Sequence, residues 1–155
     1  MDVDTGIEPG ARKEIAEALA RFLADTYTLY LRTHGYHWNV TGPMFNSLHL
    51  MFEQQYMDLW AAGDLIAERI RALGFPAPAS YGQFARLASI SEDDEVPEAL
   101  EMVRRLVKGH EAAIKTGREV VAAAEAAGDV ATTDLATVRI ETHEKTAWML
   151  RATAS

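Results

Sequence analysis

Four long stretches of this 155-residue chain place apolar residues at three-to-four spacing, and breaks marked by Gly or Pro separate them. In the first, from about Ala11 to His37, Ile15, Leu19, Phe22, Leu23, Thr26 and Tyr30 recur on one helical face. The sequence "NVTGPMF" ends it, and a second helix is predicted from Phe45 to Leu73, stopped by Gly74 with Pro76 and Pro78 beyond. A long connector follows, in which Tyr81 to Ala88 has the pattern of a short helix. The third long helix is predicted to start near Pro97, a residue suited to a first turn, and to end at Gly128. The fourth starts at Asp129, a plausible N-cap, and runs to about Thr153. Nothing reads as a strand. Two helical hairpins joined by a crossover over residues 74–96 make an all-α, one-crossover four-helix bundle with a short helix in the crossover. We expect a short flexible N-terminal segment over residues 1–10 and one domain over residues 11–153.

Composition narrows the function. The chain is 48% hydrophobic and 25% charged, as a folded domain with one core requires. No apolar run approaches the length of a membrane span. The opening "MDVDTGIEPGARKE" lacks the basic start and apolar core of a secretory signal, and a cytoplasmic location is expected. The absence of cysteine excludes disulfides, thiolate nucleophiles and cysteine-ligated metal centres. A net charge of −8 argues against a general nucleic-acid binder and suits attraction of cations.

Three of the five histidines fall between Arg32 and His49, with Trp38 beside His37 and Gly42-Pro43 in the turn. The second helix carries its acidic residues in a pattern. His49 and Glu53 are four apart, as are Asp64 and Glu68, so each pair shares a helix face. Glu53 and Asp64 are eleven apart, close to three whole turns, which puts both pairs on nearly one stripe. Along the axis they are roughly 16 Å apart, too far to share one ion. Two antiparallel copies of the helix remove that obstacle. The midpoint of His49 and Glu68 is position 58.5, and so is the midpoint of Glu53 and Asp64. A two-fold axis there sets His49 opposite Glu68 of a second copy and Glu53 opposite its Asp64, with His37 descending beside His49 across the turn. Two imidazoles with carboxylates form a mixed donor set suited to iron, manganese or zinc. The plainer reading is a solvated His/Glu pair, with Asp64 and Glu68 paired to Arg69 or Arg71.

The stretch "HWNVTGPMFNSLHLMFEQQY", continued by Asp64 and "AERIRALG", resembles the Dps family of ferritin-like bacterial mini-ferritins. The resemblance extends through "FPAPASYGQFARLASI" to "DLATVRIETHEKTAWMLRA", nearly the whole chain. It implies a ferritin-like bundle assembled as a hollow homododecamer. Such a shell would bind Fe²⁺ between two-fold-related subunits, oxidise it preferentially with hydrogen peroxide and less so with oxygen, and store the ferric mineral inside. Residue by residue, His37 and His49 match the family's two histidines on one subunit, and Asp64 and Glu68 match the neighbour's carboxylates. Glu53 stands where the family often has Asp, which leaves its coordination open. Iron is the implied metal, with zinc and manganese as competitors. The resemblance also sets Trp38 and Trp148 near the site as electron donors, against the alternative of core aromatics. Acidic residues near the start of the last helix line entry pores in the family. That points to Asp134, and to Asp129 alongside its N-cap role.

Other metal patterns are missing. None of the five histidines has Glu three residues before it, as an intrabundle di-iron site would need. His110-Glu111 and His143-Glu144 lack the second histidine of a zincin motif, and both histidines read as surface or interhelix polar residues. His34 reads as a hydrogen-bonding residue rather than a ligand. The first ten residues hold Asp2, Asp4 and Glu8 with no Lys or Arg, and only Arg151 follows Trp148. DNA binding, which rests on Lys and Arg at phosphates, is expected to be weak or absent.

Overall fold

The computed structural model describes residues 2–155 and contains five helices: α1 (Pro9–Asn39), α2 (Phe45–Ala72), α3 (Tyr81–Leu87), α4 (Ala99–Ala126) and α5 (Val130–Ala154). No strand occurs among the described residues. α1 pairs with α2 and α4 with α5; the two hairpins meet chiefly through α1 against α4, and α3 lies on α1. This is the all-α, one-crossover bundle expected from the spacing.

The boundaries moved by a turn or less. α1 begins at Pro9, in its first turn, so Pro9 and Gly10 belong to the helix and not to a leading segment. Ahead of it Ile7 packs against the core, while Met1 of the expected 1–10 segment lies outside the described residues. Pro97 is not in the first turn of α4: Glu98 is the N-cap and the helix opens at Ala99. The Gly-Pro turn forms because Gly42 adopts φ +104°, which residues with a Cβ rarely reach, and the Phe45 N–H then donates to the Gly42 carbonyl at 3.0 Å.

The core is built from Ile15, Leu19 and Phe22 of the predicted face of α1, joined by Leu29, against Phe52, Leu59 and Ile66 of α2, Leu106 and Val120 of α4, and Leu150 of α5. Two mid-helix glycines are explained by close approach. A Cβ on Gly109 would stand 2.5 Å from Leu29 Cδ1, and one on Gly117 3.0 Å from Ile140 Cγ1. Backbone closeness there offsets the roughly 1 kcal/mol by which glycine disfavours a helix relative to alanine.

A buried carboxylate that the spacing did not reveal anchors the crossover. Asp25 is fully buried on α1. Its Oδ1 accepts from the Ser89 and Ile90 backbone N–H groups at 2.7 and 3.1 Å, and its Oδ2 from the Ser89 hydroxyl at 2.6 Å and from Thr116 on α4. One side chain thus ties the end of the crossover to both hairpins. Removing it strands several buried donors. Asp25→Ala is therefore expected to lower unfolding stability by about 3 kcal/mol, measured by denaturant melts. A loss within the error of such melts would show that Asp25 does not carry this junction.

Candidate metal centre

α1 ends in the turn that begins at Val40, so the carbonyl of His37 lies among the last-turn acceptors that lack a helical partner. His49, on the first turns of α2, supplies one: its Nδ1 lies 2.8 Å from the His37 carbonyl oxygen. The relation is reciprocal, since His37 Nδ1 lies 2.8 Å from the His49 carbonyl oxygen. The rings stack with centroids 3.8 Å apart and planes 14° apart. A carbonyl only accepts, so both Nδ1 atoms carry the hydrogen. In the neutral form of each ring the lone pair then lies on Nε2, the form in which imidazole binds a metal, held in orientation by its other nitrogen. His37 is buried and His49 half-buried.

The carboxylates do not join them. α2 is continuous from Phe45 to Ala72, so Asp64 and Glu68 stand roughly 22 and 28 Å along the axis from His49. Both are exposed, and Glu53 is half-buried. Among the described residues, no group of three or more His, Asp or Glu comes together as a metal cluster, and neither Asp64 nor Glu68 forms an ion pair. Of the expected alternative partners, Arg71 forms no ion pair among the described residues and Arg69 is engaged elsewhere: it donates to Asp129 Oδ1 and Oδ2 at 3.0 and 3.2 Å and to the Thr132 hydroxyl at 2.8 Å. The surface between the two half-sets is apolar, with Met57 and Trp60 about 60% exposed and Leu65 also exposed.

The remaining candidates separate cleanly. His34 is a hydrogen-bonding residue: its Nδ1 lies 2.9 Å from the Tyr30 hydroxyl. Trp38 and Trp148 are not core aromatics in the single chain; both are about 60% exposed. Trp38 packs on His34 with centroids 4.2 Å apart, whereas Trp148 makes no ring contact among the described residues. Asp129 is the N-cap of α5, accepting from the Thr132 N–H at 3.0 Å, and is almost wholly buried. Burial alone would raise its pKa, but the Thr132 and Arg69 hydrogen bonds outweigh it and hold the carboxyl below the usual range. Asp134, one turn on, is exposed.

His110 and His143 are interhelix residues, as one expectation had it, but not surface ones. They are buried between α4 and α5 with their Nδ1 atoms 2.8 Å apart. Beside them Arg139 grips Asp58 through two hydrogen bonds at 3.1 and 2.9 Å. Burial, and then the nearby Arg139 cation, push the His110 pKa far down; burial, His110 and Arg139 do the same for His143. The signal was present in the sequence. His110 continues the buried register of Val103, Leu106 and Ala113, and His143 that of Ala136, Ile140 and Ala147.

With this geometry in place, known proteins supply the class. A ferritin-like domain model matches residues 16–155, so the chain is a ferritin-like protein. It is 35% identical to the DNA protection during starvation protein of Brevibacillus brevis over 141 residues, covering 89% of this chain and 93% of that one. An uncharacterized low temperature-induced protein of Nostoc is 39% identical over 97% of this chain and 85% of its own length. The crystal structure of a Dps protein from Vibrio cholerae O1, described as one of the ferritin-like diiron-carboxylate proteins, superimposes with a TM-score of 0.93 at 30% identity over 99% and 100% of the two chains. The chain belongs to the Dps family. Membership implies iron storage with protection from oxidative damage, and iron as the metal handled. No helix among the described residues is long and apolar enough to cross a membrane.

The buried pair yields a pH prediction. Below about pH 6.5 the unfolded chain takes up protons on His110 and His143 that the native state refuses. Stability is therefore complete above that pH and falls as pH drops, by up to about 1.4 kcal/mol per unit per histidine. Urea melts from pH 7 to pH 5 should show this slope, and it should flatten in a His110→Leu/His143→Leu protein. Equal slopes in both proteins would contradict it.

Proposed function

We propose that the chain is a ferroxidase whose sites form only between two copies. His37 and His49 of one subunit meet Asp64 and Glu68 of its two-fold mate, with Glu53 at the edge of the set. The observation that carries this reading is the pair of complementary half-sets on one rigid helix face. The histidines make their hydrogen bonds through Nδ1 and leave Nε2 uncommitted, and the carboxylates, roughly 22 and 28 Å away toward the far end, are exposed and without an ion pair among the described residues. The exposed Met57 and Trp60 support a copy-to-copy contact, because they too are centred on position 58.5. An apolar groove of about 1040 Å³ runs beside them, lined by Tyr27, Tyr30, Trp60, Leu65 and Tyr81. Burying it against a second chain would remove a large exposed apolar patch from water.

The chemistry follows from the donor set. Asp64 and Glu68 hold Fe²⁺ and stabilise the extra charge of the ferric product. His37 and His49 add neutral nitrogen donors that leave room for the oxidant. Two Fe²⁺ ions supply both electrons that hydrogen peroxide needs, so with two protons it becomes two waters and no hydroxyl radical escapes; oxygen is the slower oxidant. Ferric mineral then collects in a hollow homododecamer, in a cytoplasmic setting. Zinc and manganese, which favour similar donors, compete for the site. Trp38 and Trp148 serve as accessory electron donors. We assign the entry pore to Asp134, which shares a surface depression with Glu125. A role for Asp129 there would require its ion pair with Arg69 to open.

Twelve chains at −8 carry −96, and the described surface brings no basic tail to offset it. The assembled protein should give no gel shift with duplex DNA at about 150 mM salt; a complex that survives that salt would refute this part of the reading. For the site itself, Asp64→Ala and Glu68→Ala proteins should oxidise Fe²⁺ with peroxide over about a hundredfold more slowly, a larger loss than removing a residue that only orients a ligand brings. Undiminished rates and stoichiometry in both would rule the assignment out.

A further inference from the structure

The oxidation site accounts for His37 but not for the aromatic column packed against it. Tyr56 stands edge-on to His37, with ring centroids 5.1 Å apart. His34 lies nearly flat on Tyr56, 3.8 Å away with planes 13° apart, and Trp38 packs on His34 at 4.2 Å. Tyr30 ends the column. Its ring lies 6.2 Å from Tyr56 and 5.1 Å from Trp60. Among the described residues, its hydroxyl is the one tyrosine oxygen hydrogen-bonded to a histidine, 2.9 Å from His34 Nδ1. Packing alone would be served by phenylalanine at Tyr30 and by an aliphatic side chain at His34. Instead the column ends in a phenol hydrogen-bonded to an imidazole nitrogen, which accepts the phenol's hydrogen when the ring carries its own on Nε2.

We propose that Tyr30, hydrogen-bonded to His34 and in ring contact with His37 through Tyr56, is a proton-coupled electron donor to the oxidation site when a peroxide meets only one Fe²⁺ ion. The proposal rests on the ferroxidase reading above. Hydrogen peroxide takes two electrons. With a single Fe²⁺ present, iron gives one and Tyr30 gives the other through Tyr56 and His37. The phenolic proton moves along the existing hydrogen bond to His34 Nδ1. With two solvent protons, the peroxide becomes two waters, leaving Fe³⁺, a neutral tyrosyl radical and a protonated His34. Without the second electron, the O–O bond would break to hydroxide and a free hydroxyl radical.

The surroundings fit this role. Burial, then the Tyr56 and Tyr81 phenols, raise the Tyr30 pKa, so the phenol keeps its proton until an electron leaves. Trp38 joins the column through His34, so its route and that of Tyr30 converge on Tyr56.

The test uses the intact assembled protein in two arms. In the first, the iron-free protein is flashed with tris(bipyridine)ruthenium and a sacrificial acceptor, frozen, and read by electron paramagnetic resonance with and without ring-deuterated tyrosine. A tyrosyl signal should form and lose most of its intensity in both Tyr30→Phe and His34→Phe, which keep a ring at each position. In the second, protein given one Fe²⁺ per site is mixed with hydrogen peroxide. The same signal should appear in the wild type, while Tyr30→Phe should lose it and release several-fold more hydroxyl radical to a spin trap. With two Fe²⁺ per site, the ferric product should form equally in both proteins. If ferric product forms but the tyrosyl signal survives in Tyr30→Phe, the inference falls and the oxidation reading stands. If no protein forms ferric product, both fall, and the first arm then reports whether Tyr30 is oxidisable at all.

Discussion

The candidate centre depends on one constraint: an α-helix rises about 1.5 Å per residue, and α2 does not break between His49 and Glu68. No side-chain rotamer closes that gap. The rest of the fold holds α2 fixed in this state. Phe52, Leu59 and Ile66 bury its inner face, Arg139 grips Asp58 near its middle, and Arg69 ties its end to Asp129 at the start of α5. What remains outside is a stripe with histidines at one end, carboxylates at the other and exposed apolar residues between. Such a stripe is self-complementary under a two-fold axis, so the symmetry that makes a dimer would also complete two sites at once.

Four of the histidines form two pairs with opposite fates, and the local backbone decides which. His37 and His49 meet where α1 ends, so the His37 carbonyl, without a helical partner, is available to His49 Nδ1, while His37 Nδ1 meets the His49 carbonyl on the first turns of α2. His110 and His143 meet inside the bundle, where carbonyls are already used by the helices. They bond to each other, and burial beside Arg139 keeps them neutral. The first pair keeps its Nε2 atoms out of the hydrogen bonds it makes, whereas the second is enclosed in the packing. His34 belongs to neither pair: it serves the phenol of Tyr30.

The helices and their order were legible because Gly42, Gly74 and Gly128 mark helix ends that take positive φ, while three-to-four spacing runs through each long helix. The separation of His49 from Asp64 and Glu68 was also legible, since axial distance follows from sequence separation once the helix is assigned. The exposure of Trp38 and Trp148 was not, because helical spacing does not say which ring faces a neighbouring helix and which faces outward. The Asp25 junction was hidden for another reason. Its partners, Ser89, Ile90 and Thr116, are brought to it by the crossover and by α4, far away in sequence. Pro97 misled by two residues because proline is as compatible with the approach to a helix as with its first turn. Asp129 carries both a cap and an ion pair. The cap was readable from its place before α5, whereas the ion pair with Arg69 needed the tertiary fold.

The central claim, a metal site shared between two copies, is tested most directly by complementation. Chains carrying His37→Ala and His49→Ala are unfolded and refolded together with equal amounts of chains carrying Asp64→Ala and Glu68→Ala, and tight Fe²⁺ binding by the reassembled protein is counted. Neither variant alone should bind. Half of the randomly formed dimers would pair unlike chains, and each would hold one intact site, so about a quarter of the wild-type sites should return. No recovery on mixing, from subunits that refold and assemble, would contradict a shared site, as would full binding by either variant alone.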